Sequence, residues 1–112
     1  MTGPAPTPTP PYFAVIFTSV RNEQPDDGFA EADQRMFDLA HGRPGFLGYE
    51  TASGDDLAIT VSYWENEEAI AAWKAVAEHR AAQQQGRARW FDRYEVRVAR
   101  VERAYGFTRG EA

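Results

Sequence analysis

The segment Tyr12-Phe-Ala-Val-Ile-Phe-Thr-Ser-Val20 limits the possible folds of this chain more than any other. Its β-branched and aromatic residues predict a strand. Strand side chains alternate between two faces, and here both sets are apolar: Phe13, Val15 and Phe17 on one, Ala14, Ile16 and Val20 on the other. Such a strand belongs in a sheet that is covered on both sides. With 112 residues the chain has room for one domain, so few elements are available to supply that cover.

Pro25-Asp26-Asp27-Gly28 reads as a helix start, with carboxylates near the positive end of the dipole. Phe29, Ala32, Met36, Phe37 and Ala40 then recur at helical spacing to about His41, before Gly42, Pro44 and Gly45 end the helix. Two strands, 46–52 and 57–64, flank the hairpin sequence Ser53-Gly54-Asp55-Asp56. Asn66 is placed to cap a second helix running from about Glu67 to at least Gln84. The last strand spans 92–105. Its apolar set moves from Tyr94, Val96 and Val98 to Ala99, Val101 and Tyr105, which predicts a bulge or a strand that leaves its sheet for another surface.

The order β-α-β-β-α-β predicts an α+β, ferredoxin-like fold: a four-stranded antiparallel sheet with two helices on one face. Two helices leave the other face bare. A second copy of the chain is expected to cover it, in an isologous homodimer joined sheet to sheet.

Residues 1–11 hold five of the seven prolines and no charge, and are expected to form a disordered arm. The folded domain is expected over 12–107, with 108–112 as a tail. Absence of Cys excludes a disulfide scaffold, a thiolate metal site and a Cys nucleophile. No apolar run approaches the roughly 20 residues of a membrane span, which predicts a cytoplasmic protein with no membrane partner. A net charge of −5 argues against nucleic acid as a partner. That charge is uneven. Residues 12–78 carry 4 basic and 13 acidic groups, whereas residues 79–112 carry 8 arginines and 4 acids. Inter-subunit ion pairs or a ligand's acidic groups would suit those arginines.

The chain has no metal-ligand cluster, no phosphate loop and no nucleophile elbow. His41, at the end of the first helix, is placed where the dipole favours a cation. On the second helix Ile70, Trp73, Ala77 and Arg80 form one stripe, and Ala72, Val76, His79 and Gln83 an adjacent one. An imidazole beside small apolar residues can shuttle a proton near neutrality. Aromatic residues with one histidine suit a flat apolar or phenolic ligand, and Arg87 after Gly86 could meet an oxyanion. The candidate set is therefore His79 and Trp73 as catalytic groups, with Phe17, Tyr63, Trp64, Val76, Gln83, Arg87 and Tyr94 around the ligand. The competing reading is that the aromatics are core and His79 is satisfied at the helix edge.

Phe13-Ala-Val-Ile-Phe17, Pro44-Gly-Phe-Leu-Gly48, Val61-Ser-Tyr-Trp64, Ala69 to Trp73, Ala77-Glu-His79, Gly86-Arg87 and Val101-Glu-Arg-Ala-Tyr-Gly-Phe107 together resemble the antibiotic biosynthesis monooxygenase (ABM) family. The resemblance implies a dimeric α+β barrel with its pocket between sheet and helices. It also implies a small cofactor-independent monooxygenase, acting with O₂ on an aromatic or polyketide-type substrate. In quinone-forming members the deprotonated substrate itself reduces O₂, and here His79 would move the proton between walls of Trp73 and Trp64. Heme and externally supplied reduced flavin stay open as cofactors, although heme-degrading members carry an Asn on the first strand where this chain has Thr18 and Ser19. Two other readings stand beside this one: a non-catalytic binder of heme or a small hydrophobic metabolite, and a non-oxidative cyclase. No dinucleotide fingerprint is present, which argues against a Rossmann-type NAD or FAD site.

Overall fold

The structure is a computed structural model that describes residues 3–22, 27–83 and 89–110, with side chains in the second helix described as far as Glu78. The element order is β1 (Tyr12–Arg21), α1 (Phe29–His41), β2 (Phe46–Ser53), β3 (Ala58–Trp64), α2 (Glu67–Gln83) and β4 (Phe91–Val101). The four strands form one sheet in the order β2-β3-β1-β4. Each neighbouring pair is antiparallel, so the fold is the ferredoxin-like α+β arrangement. The doubly apolar strand β1 lies between β3 and β4, where it has no exposed edge.

Local chemistry sets the element ends. Gly28 takes the N-cap of α1 in the left-handed conformation, φ 75°, and Asp27 Oδ1 accepts from Phe29 N at 3.0 Å. Asn66 Oδ1 caps α2 by accepting from Ala69 N at 2.8 Å. Gly45, φ +83°, lets the chain turn into β2 against α2: its carbonyl accepts from Glu65 N at 2.8 Å, and a Cβ there would sit 2.7 Å from Ala69 Cβ.

The last strand shows both features expected of it as alternatives, a bulge and a departure from the sheet, but the bulge lies elsewhere along it. Val20 pairs with Arg93 but Arg21 pairs with Phe91, so the extra residue lies at the start of β4 and not after Val98. The strand ends at Val101. Residues 102–107 leave the sheet, with Tyr105 98% and Phe107 81% exposed.

The segment expected to be a disordered arm is docked where it is described. Ala5 N donates to Glu50 Oε2 at 2.8 Å, and Thr7 Oγ1 bonds Tyr12 Oη at 3.0 Å. Glu50 also accepts from the Tyr63 hydroxyl, and the Tyr12 and Tyr63 rings meet edge to face at 5.8 Å. Polyproline lacks donors of its own, so side chains of the sheet satisfy the few amides it offers. This contact covers part of the sheet face away from the helices. Among the described residues no helix is long and apolar enough to cross a membrane.

Candidate functional site

Both helices lie over the other face of the sheet and leave a cleft of about 680 Å³. Register decides which side chains reach it. Val15 lies opposite Ser62 and Val98, and Phe17 opposite Thr60 and Val96, so these side chains share one face. Trp64 forms the floor. It is wholly buried, stacks on Trp73 at 5.9 Å and meets the Phe46 edge at 5.1 Å. Its indole N–H donates to Ser62 Oγ at 2.9 Å, so its polar atom is satisfied within the wall. Phe17 stacks on Tyr94 at 5.1 Å along the opposite side.

The helices cannot close on this sheet because large rings hold them off while small residues face inward. Phe37 of α1 stacks on Tyr49 of β2 at 4.0 Å, and Phe29 meets Phe91 at 5.7 Å. Ala32, between these two rings on α1, and Ala40, beyond Phe37, line the cleft without filling it. Val96 and Val98 also line it and are each about half exposed, so the cleft opens along β4. A volume of this size falls within the roughly 300–1,000 Å³ of small-molecule sites.

A latch closes one end. The Arg21 guanidinium bonds Asp27 Oδ2 at 3.1 Å and the Trp90 carbonyl at 2.7 Å, and lies 3.6 Å over the Phe29 ring. Trp90 Nε1 donates to the Asp27 carbonyl at 2.8 Å. These contacts join the end of β1 and the starts of α1 and β4, and little of either ion-pair partner is exposed.

Polar groups in the cleft are few. Thr60 and Ser62 are hydrogen-bonded within the wall. Lys74 and Glu78 form an exposed pair at 3.9 Å on α2. Asp33 of α1 differs from these. It lines the cleft half-buried, and burial raises its carboxyl above the ordinary 3.8, against the opposing pull of Arg21. Among the described residues no cluster of His, Cys, Asp and Glu could hold a metal ion.

Residues 11–85 match the antibiotic biosynthesis monooxygenase family. The chain belongs to that family. A protein of Bacillus subtilis strain 168, the uncharacterised YqjZ, is 50% identical over 98 residues, covering 87% of this chain and 85% of its own. The jasmonate monooxygenase ABM of Pyricularia oryzae is 29% identical over 98 residues, and the match spans only 39% of that longer protein. Among solved structures, SnoaB of Streptomyces nogalater, a cofactor-independent oxygenase, superposes with a TM-score of 0.64 at 14% identity, covering 91% of this chain and all of its own. At that identity the likeness shows the shared fold.

Within this ABM domain the cleft brings together Phe17, Trp64, Trp73 and Tyr94 from the expected set. Tyr63 is not among them. Adjacent strand residues face opposite ways, so with Trp64 turned inward Tyr63 lies on the far face, bonded to Glu50. Its phenol is pushed well above the usual tyrosine range by burial and by that carboxylate. Val76 does not line the cleft either. The α2 stripe that does is Ile70, Trp73, Lys74, Ala77 and Glu78. The side chains of His79 and Gln83, and the whole of Arg87, lie outside the described residues.

Asp33 was absent from the expected set. Its signal was legible: Phe29, Ala32, Met36, Phe37 and Ala40 make an apolar stripe, and Asp33 sits inside it, four residues from both Phe29 and Phe37. An acid in the first turn would serve the helix dipole, but Asp33 is the fifth residue of α1.

Proposed function

We propose that this ABM-family chain is a cofactor-independent oxygenase for a flat, apolar, phenol-bearing substrate. One observation carries the reading: a deep, open-sided cleft walled by Trp64, Trp73, Phe17 and Tyr94, in which polar groups are scarce. Aromatic walls orient a planar ring system by stacking and exclude water from it. The substrate's activated methylene loses a proton, and the resulting anion supplies the electrons. For the overall change R₂CH₂ + O₂ → R₂C=O + H₂O, the carbon loses four electrons and O₂ gains them. One oxygen atom enters the product and the other leaves as water. The family match and the relative named as a jasmonate monooxygenase support monooxygenation as the reaction class.

The reading also takes the working form to be a homodimer joined through the outer sheet face. Ile59 on that face and the exposed Tyr105 and Phe107 beyond β4 are apolar surface that a second copy would bury. Light scattering on Tyr105→Ser/Phe107→Ser is expected to show a loss of dimer at micromolar concentration.

Oxygen uptake with 1,8-dihydroxyanthrone, using protein free of flavin and metal, tests the activity. Uptake well above the uncatalysed rate is expected, with Trp73→Ala lowering kcat/KM at least tenfold. Tight binding of the anthrone with no oxygen consumption would turn the reading toward a carrier of hydrophobic metabolites. Turnover without oxygen would turn it toward a cyclase.

A further inference from the structure

We infer that Asp33 is the base of this site: its carboxylate takes the proton from the substrate bound in the aromatic cleft. The inference rests on the oxygenase reading and supplies the proton-transfer group that the reading requires.

Three features of the structure support it. Asp33 is held on a helix, in line with two anchored rings: Phe37 stacked on Tyr49 and Phe29 beneath the Arg21 guanidinium. Its side chain is therefore carried by a fixed backbone at the cleft wall, which is what a positioned base needs. It is also the half-buried acid among the charged residues lining the cleft, since Lys74, Glu78 and Glu95 are exposed. Finally, the nearby cation is already engaged. Arg21 bonds Asp27 and the Trp90 carbonyl, and so moderates Asp33 by its field without a direct salt bridge between them.

An ionised carboxylate beside apolar walls destabilises the fold unless something compensates it. The neighbouring positions of the α1 stripe are Ala, Met and Phe, and the charge of Arg21 offsets part of that cost while burial outweighs it. The titratable groups that line the same cleft are Tyr49 from β2, Tyr94 and Glu95 from β4, and Lys74 and Glu78 from α2, and Arg21 of β1 acts on Asp33 through its charge. Burial favours the neutral carboxyl, which brings its titration nearer the working pH and makes the carboxylate a stronger base than one in water. In the step itself the substrate C–H or O–H bond breaks, the proton goes to an Asp33 oxygen and the electron pair stays on the substrate. The proton returns to the reduced oxygen in the water-forming step, so the carboxylate is regenerated.

The test uses the full chain with 1,8-dihydroxyanthrone. Asp33→Asn keeps the shape of the side chain and removes its basicity. It is expected to lower kcat for oxygen uptake by about 10²–10⁴-fold. Anaerobic binding, read by tryptophan quenching, should stay within threefold, and the acid limb of the wild-type pH profile should vanish. Asp33→Glu should recover part of the rate. Asp33→Asn turning over at more than a third of the wild-type rate, with an unchanged pH profile, would overturn the assignment. An anaerobic absorption spectrum separates this result from failure of the oxygenase reading. If the wild type consumes no oxygen but holds the anthrone as its anion where Asp33→Asn holds it neutral, the base stands and the oxygenase reading falls. Identical spectra for the two proteins would refute the base.

Discussion

The same four strands present two faces that solve the problem of cover differently. On the helix face, stacked rings hold two helices away from the sheet and leave depth. On the outer face, a proline-rich segment lies along the surface, and the groove beside it is bordered by Glu50, Tyr12 and Tyr63. Depth with apolar walls suits a small molecule, and breadth suits a protein surface. What separates them is the bulk of the covering element: a helix carries Phe, Met and Trp as spacers, whereas a polyproline strand carries none.

If the helix face holds the fold together as well as the site, its variants should cost the most. Trp64→Ala is expected to lose about 3–5 kcal/mol, because its wholly buried ring joins β3, Trp73 and Phe46. Urea unfolding measures this, and a loss below about 1 kcal/mol would show that the cleft floor is not the core. Gly45→Ala should follow at about 2–3 kcal/mol, since it meets both a positive φ and a 2.7 Å approach to Ala69 Cβ. Arg21→Gln removes the latch and should cost about 1.5–3 kcal/mol, with looser binding in the cleft as its functional sign.

Changes on the outer face should be smaller and of another kind. Glu50→Gln weakens the contacts to Ala5 and Tyr63 and is expected to cost about 1 kcal/mol. Its clearer readout is self-association by light scattering, with oxygen uptake per chain less affected than in any cleft variant. A turnover loss as large as that of Trp73→Ala would erase the distinction between the faces.

The smallest thermal effect should have the opposite sign. Burial raises the Asp33 carboxyl above 3.8, so its neutral form is favoured in the folded state. The stability this contributes is complete below the unfolded value and is lost as pH rises through the folded one. Asp33→Asn should therefore melt above the wild type at pH 7, and the gap should close as pH falls toward 4. A variant that is more stable yet inactive is what a site residue held at a cost to the fold would give.

Strand and helix periods made most of the fold legible. The double apolar pattern of β1 placed it inside a covered sheet, and the stripe of α1 and the Asn66 cap placed the helices. The site was legible in its aromatics but not in its sides. Treating Tyr63 and Trp64 as one wall overlooked the alternation that sends neighbours to opposite faces. On α2 the sequence offered two adjacent stripes, and packing against Trp64 brings Trp73 and Ala77 of one to the cleft while Val76 of the other stays out of it. The proline-rich segment has no periodicity to read, so its docking on Glu50 could not be foreseen.

Local chemistry, repeated along the chain at periods of 2 and 3.6, was enough to determine the elements, their order along the chain and the apolar patterns of β1 and α1. The tertiary structure decided how far apart those faces stand, because the gap depends on which rings collide across it. That separation turned a stripe on α1 into the wall of a cleft, and an acid in that stripe into a group that can meet a ligand.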